Sequence, residues 1–135
     1  MNAAVKVVFS NEDPLIQSEV VPALKGALEC ELGCEVSVIQ KYSALETLTY
    51  VTDNVVDLVI IRGQYRSADM NRQALVAGIK KLDKTIPIIV FSKEPPPQES
   101  DYASVDGWYS YPLEARDVKL VSMLLRNQPL VAEVG

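Results

Sequence analysis

Four runs rich in β-branched and aliphatic residues, VKVVFS (5–10), CEVSVIQ (34–40), VVDLVII (55–61) and IPIIVFS (86–92), recur along the chain with helix-like segments between them. A fifth and weaker run, GWYSYP (107–112), precedes a last amphipathic segment, LEARDVKLVSMLLRN (113–127). Strands separated by helices cannot close as hairpins. Each crossover returns the chain parallel to the strand it left, and with one fixed hand. Runs this apolar read as strands covered on both faces. The expected architecture is therefore an α/β doubly wound five-stranded parallel sheet in the order 2-1-3-4-5, with helices on both sides.

The segments between the strands carry helix punctuation. PLIQSEVVPALKGALECEL (14–32) starts with proline behind Asn11 or Asp13 as cap, and Gly33 stands where a left-handed residue ends a helix. Leu15, Val20, Leu24 and Leu28 are its expected inner face, and Pro22 is expected to bend it or to remove one hydrogen bond. In SALETLTYVTDN, Ser43 and Glu46 form a capping box. ADMNRQALVAGIKKLDK repeats Met70, Leu75, Ile79 and Leu82 at helical steps, and the last helix points Val118, Val121, Leu124 and Leu125 inward. The fourth crossover, KEPPPQESDYASVD, is the exception: Pro95, Pro96 and Pro97 favour extended backbone, so this connection is shortened or irregular. Five units in this length give a flavodoxin-like sheet over residues 1–127. Residues 128–135 are left as a tail or the start of a linker to a further domain.

Composition removes whole classes of chemistry. The 135-residue chain is 48% hydrophobic, enough for one core, and its net charge of -5 argues against a nucleic-acid surface. No apolar run spans a bilayer and no signal-peptide pattern opens the chain, so the expected location is the cytoplasm. There is no histidine, which excludes His-dependent triads and the commonest zinc ligand. Cys30 and Cys34 lack further soft ligands and read as structural thiols. Neither GxGxxG nor GxxxxGK[ST] is present, and the acidic loop SNEDP does not suit a flavin. No cofactor is expected.

Four stretches in order resemble the response-regulator receiver domain. VVFSNEDPLIQ is similar to its first strand and acidic pair, and VDLVIIR to the strand that ends in the phosphorylated aspartate. TIPIIVFSK resembles the strand that ends in a switch hydroxyl, and GWYSYPLEARDV the fifth strand with its Lys-Pro turn. The resemblance covers residues 5–127. It implies that Asn11 and Glu12, with Asp13 beyond, hold the acidic positions, and that Arg62 holds the phosphoacceptor position. Tyr65 and Arg66 replace a Met-Pro pair, Ser92 keeps the hydroxyl, Tyr111 replaces the lysine before Pro112, and Trp108 takes the aromatic switch position.

Aspartyl phosphorylation needs a carboxylate nucleophile, a Mg²⁺ held by carboxylates and a cation for the phosphoryl oxygens. Arg62 stays protonated and repels a metal, and Tyr111 supplies no charge. The expectation is a degenerate, non-enzymatic pseudo-receiver in which Arg62 pairs with Glu12 or Asp13; the alternative is an Arg62 pointing into solvent. Its partner would be a protein on the fifth-strand and last-helix face, with a homodimer compatible with that face. Trp108, Tyr109, Tyr65 and Arg66 are the candidate contacts, or else they pack the pocket. The competing class is a small-anion or small-ligand sensor, or an enzyme, using Arg62, Arg66 and Ser92 on the same fold.

Overall fold

The computed structural model describes residues 4–66, 69–93, 104–110 and 114–126. In chain order these form β1 (Val5–Ser10), α1 (Pro14–Leu32), β2 (Val36–Lys41), α2 (Ala44–Asp53) and β3 (Leu58–Arg62). There follow α3 (Arg72–Leu82), β4 (Ile88–Ser92), β5 (Gly107–Ser110) and α4 (Ala115–Arg126). All strand pairs are parallel and the sheet order is β2-β1-β3-β4-β5, as the alternation of segments predicts.

Strand alternation splits the core in two. Val7, Phe9, Leu58, Ile60, Ile89 and Phe91 face one side, where α1 brings Val20, Val21, Leu24 and Leu28 and α4 brings Val118, Val121 and Leu125. Val8, Val59, Ile61, Ile88 and Val90 face the other side and meet Ala44 and Val51 of α2 and Leu75, Val76 and Ile79 of α3.

The helix ends follow local chemistry. Asp13 accepts from Leu15 N at 2.9 Å, Pro14 fills the first position where no donor is needed, and Gly33 closes the helix at φ 69°. Ser43 accepts from Glu46 N at 3.1 Å, while Glu46 reaches back to Tyr42 N at 3.1 Å, one residue before the cap. α1 continues through Pro22, which sits on the exposed face, where water can take the carbonyl left without its helical donor.

Some expected boundaries and faces shift. β2 starts at Val36, and β3 starts at Leu58, where Val55 is exposed and Asp57 ties the strand start to β1 through Lys6 N at 2.8 Å. Leu15 is 71% exposed, on the outer side of a first turn whose Ile16 and Gln17 face inward. Leu82 ends α3 in solvent, and Met70 packs on the core from ahead of that helix, whose cap is Asn71. Asp106 receives Ile88 N at 2.8 Å and donates its own amide to Ile88 O at 2.7 Å. That exchange fixes β5 so that Val90 lies opposite Trp108 and Ser92 opposite Ser110. The proline-bearing stretch, Tyr111, Pro112 and the tail from residue 127 lie outside the described residues. Among the described residues no helix is long and apolar enough to cross a membrane.

Candidate functional site

β1, β3 and β4 end at the same edge, and the side chains there close into one network. Arg62 is the last residue of β3. Its Nη1 donates to Glu12 Oε1 at 3.1 Å, and the two side chains are 19% and 15% exposed. The same Glu12 oxygen accepts from the backbone amide of Arg66 at 2.7 Å. One carboxylate thus grips both ends of the turn 62–66. Shielded from most solvent, a guanidinium–carboxylate bond is charge-assisted and stronger than its surface counterpart.

Tyr65 fastens the middle of this turn from beneath. It is 7% exposed, and its hydroxyl lies 2.6 Å from Ser10 Oγ and 3.5 Å from the Arg62 amide, which donates to it. Thr47 Oγ1 stands 2.6 Å from Ser10 Oγ and 2.7 Å from Ser43 O. A carbonyl can only accept, so the single Thr47 proton goes to Ser43 O. Ser10 then donates to Thr47, and Tyr65 to Ser10. This ordered chain links the turn after β3 to the N-terminus of α2. Burial is the main reason that the Tyr65 phenol is pushed up to about 12, against the opposing pull of the Arg62 amide.

Asn11 is buried and used locally: its Oδ1 accepts from Asp13 N at 2.8 Å and its own amide donates to Lys41 O at 3.0 Å. Gln17 gathers the strand ends through Nε2, which shares its two protons among Phe9 O, Asn11 O and Lys41 O at 3.2, 3.1 and 2.8 Å. On the β4 side, Gly63 packs against Ser92 so closely that a Cβ would lie 2.6 Å from its Oγ and 2.9 Å from its Cβ. Arg72, 4% exposed at the start of α3, donates from Nε to Gly63 O at 2.8 Å and lays its guanidinium 5.0 Å from the centre of the Trp108 ring.

Several expectations are corrected by this geometry. Asp13 does not face Arg62; it is the cap of α1, and Glu12 alone supplies the carboxylate of that ion pair. Of the two readings of Tyr65, surface contact or packing, the second holds, because the turn folds its ring into the core with Leu75 and Val76. Trp108 and Tyr109 do not share one patch. Strand alternation sends Trp108 toward the α2–α3 face and Tyr109 toward the α1–α4 face, where burial and then the Asp117 charge push its phenol up. Arg66 is exposed and enters the site through its backbone. Tyr111 and Pro112 lie outside the described residues.

The residues that the sequence reading missed are Gln17, Thr47, Gly63 and Arg72. Gly63, directly after a strand, carried a usable sign, since such a glycine often marks a close backbone approach. The other three sit in helix patterns where a polar side chain reads as solvent-facing.

Solved structures place the architecture. A CheY-like response-regulator receiver domain protein from Methanospirillum hungatei superposes at TM-score 0.72 with 20% identity, covering 98% of this chain and all of its own. A response-regulator receiver protein from Sinorhizobium medicae matches at 0.69 with 15% identity, over 92% of this chain and 96% of its own. The chain has the receiver fold. The receiver domain of a Pseudomonas aeruginosa sensor histidine kinase, whose structure holds a magnesium ion in the active-site cleft, matches at 0.70 with 13% identity over 92% of this chain and 97% of its own. No protein-family model and no curated protein matches the sequence.

Magnesium does not suit the donor set at this receiver edge. Glu12 already accepts from Arg62 and Arg66, Asp13 caps α1, Asn11 Oδ1 holds Asp13 N, and a guanidinium stands between β1 and β3. A hard dication seeks several oxygen ligands and no adjacent cation. Among the described residues no three acidic or thiol side chains converge on a metal position.

Proposed function

We propose that this chain is a signalling domain of receiver type that works without phosphoryl transfer, through contacts with a protein partner, in the cytoplasm. The observation that carries the reading is the Arg62–Glu12 ion pair at the carboxyl edge of β3. By resemblance to receivers, Arg62 stands where the phosphoacceptor would be, and a protonated guanidinium offers no electron pair for attack on phosphorus. The pair supplies internally the opposite charges that a metal and a phosphoryl group would bring from outside. It holds the turn 62–66 in one arrangement.

The partner face we assign is the outer side of α4 with the neighbouring edge strand β5. Leu120 and Met123 are exposed there beside Arg116, Lys119 and Arg126, a mixed apolar and basic stripe on an acidic chain. Apolar anchors flanked by arginine are common in protein interfaces.

A small-anion sensor has weaker support, because the Arg62 guanidinium and the Arg66 amide already hold an internal carboxylate. Thermal melting separates the two readings. Acetyl phosphate with Mg²⁺, and phosphate or sulfate alone, are expected to leave the melting temperature unchanged. A selective rise with one anion, growing with its concentration, overturns the proposal in favour of the sensor.

A further inference from the structure

Arg72 touches two segments that share no strand pairing. Its Nε holds the carbonyl of Gly63 at 2.8 Å, and its guanidinium lies against the ring of Trp108, with 5.0 Å between Cζ and the ring centre. Gly63 itself has no slack: a Cβ there would be 2.6 Å from Ser92 Oγ and 3.5 Å from Trp108 Cζ2. On either side of Gly63, Arg62 and the Arg66 amide end on the same Glu12 oxygen. A continuous set of contacts therefore runs from the loop after β1, through the turn after β3, to the middle of β5.

We propose that Arg72 is the coupling residue of this domain, setting the placement of Trp108 according to whether Glu12 holds the turn 62–66. The planar fork of arginine suits both tasks at once. One N–H edge is fixed on a carbonyl while the π face stacks on the indole. Releasing Glu12 frees Gly63 to move, the carbonyl takes Nε with it, and the cation leaves the ring. Trp108 is half-buried, so a small rotation alters what it presents at the edge strand. The mechanism needs no phosphate and stands independently of the function proposed above. It requires only that the turn has two arrangements which the Glu12 contacts bias.

Trp108 is the only tryptophan, so fluorescence excited beyond the tyrosine absorption band reports this site alone. The experiment is a cycle of four proteins: the parent, Glu12→Ala, which removes the oxygen that takes both bonds, Arg72→Met and the double variant, with far-UV circular dichroism to establish folding. Acrylamide quenching of Trp108 is expected to rise above the parent's in E12A. R72M opens the ring by itself, and adding E12A to it produces no further change. An equal E12A effect in both backgrounds, or no effect in either, overturns the coupling. Should R72M not fold, Arg72→Lys replaces it. Its ammonium keeps a cation near the ring but lacks the fixed fork, so the response to E12A is again expected to vanish, and a retained response contradicts the proposal.

Discussion

Replacing Arg62 with methionine keeps a long stem at the end of β3 but removes the guanidinium that faces Glu12, while the Arg66 amide still donates to that carboxylate at 2.7 Å. Hydrogen bonds to charged groups contribute about 1.5–3 kcal/mol, and a mostly shielded carboxylate that loses its cation adds to the cost. R62M is expected to lose about 2 kcal/mol in urea unfolding at unchanged slope. Arg66→Met, at an exposed position that serves Glu12 only through its backbone, is expected to stay within about 0.5 kcal/mol of the parent. Similar losses for both would mean that the ion pair contributes no more than an ordinary surface charge. The sequence indicated this residue well: an arginine closing an apolar strand is conspicuous, and the first-strand acids were its natural partners. Glu12 is the expected partner, and Asp13, the possible second, drops out because its carboxylate caps α1.

At the scale of elements, the turn after β3 and the N-terminus of α2 are joined by the hydroxyl chain Tyr65–Ser10–Thr47. Removing the Tyr65 hydroxyl with Tyr65→Phe is expected to cost about 1 kcal/mol at neutral pH. The pH dependence has a definite sign. Folding raises the Tyr65 phenol from its ordinary 10.0 to about 12, so the folded state binds this proton more tightly than the unfolded chain does. Its stabilisation is complete below pH 10.0 and is lost as pH climbs toward about 12. The stability difference between parent and Y65F should therefore hold constant through the neutral range and narrow above pH 10.0, measured by denaturant unfolding at each pH; a gap that widens there contradicts the assignment. Element identity was readable from the alternation of apolar runs, and the caps Ser43 and Gly33 from their residue types. Of the two roles open to Tyr65 in the sequence, packing is the one realised, because a carboxylate fifty-odd residues away, at Glu12, closes the turn over its ring. Trp108 and Tyr109 were grouped because adjacency in sequence hides that a strand sends neighbours to opposite faces.

For the molecule as a whole, five parallel strands in the order β2-β1-β3-β4-β5 bring the ends of β1, β3 and β4 to one edge, the order expected of a flavodoxin-like sheet built from five alternating units. What the chain does at that edge depends on charge, and the fold is silent about it. The central claim is that a guanidinium, held by Glu12, closes the place where receivers accept phosphate. Intact-mass spectrometry of the full chain after incubation with acetyl phosphate and Mg²⁺ tests it most directly, read alongside Arg62→Asp, which restores a carboxylate to the end of β3. The parent is expected to show no phosphoryl adduct under conditions that modify an ordinary receiver domain. A stoichiometric, hydroxylamine-sensitive phosphoryl adduct on the parent, carried by any carboxylate at this edge, would contradict the account.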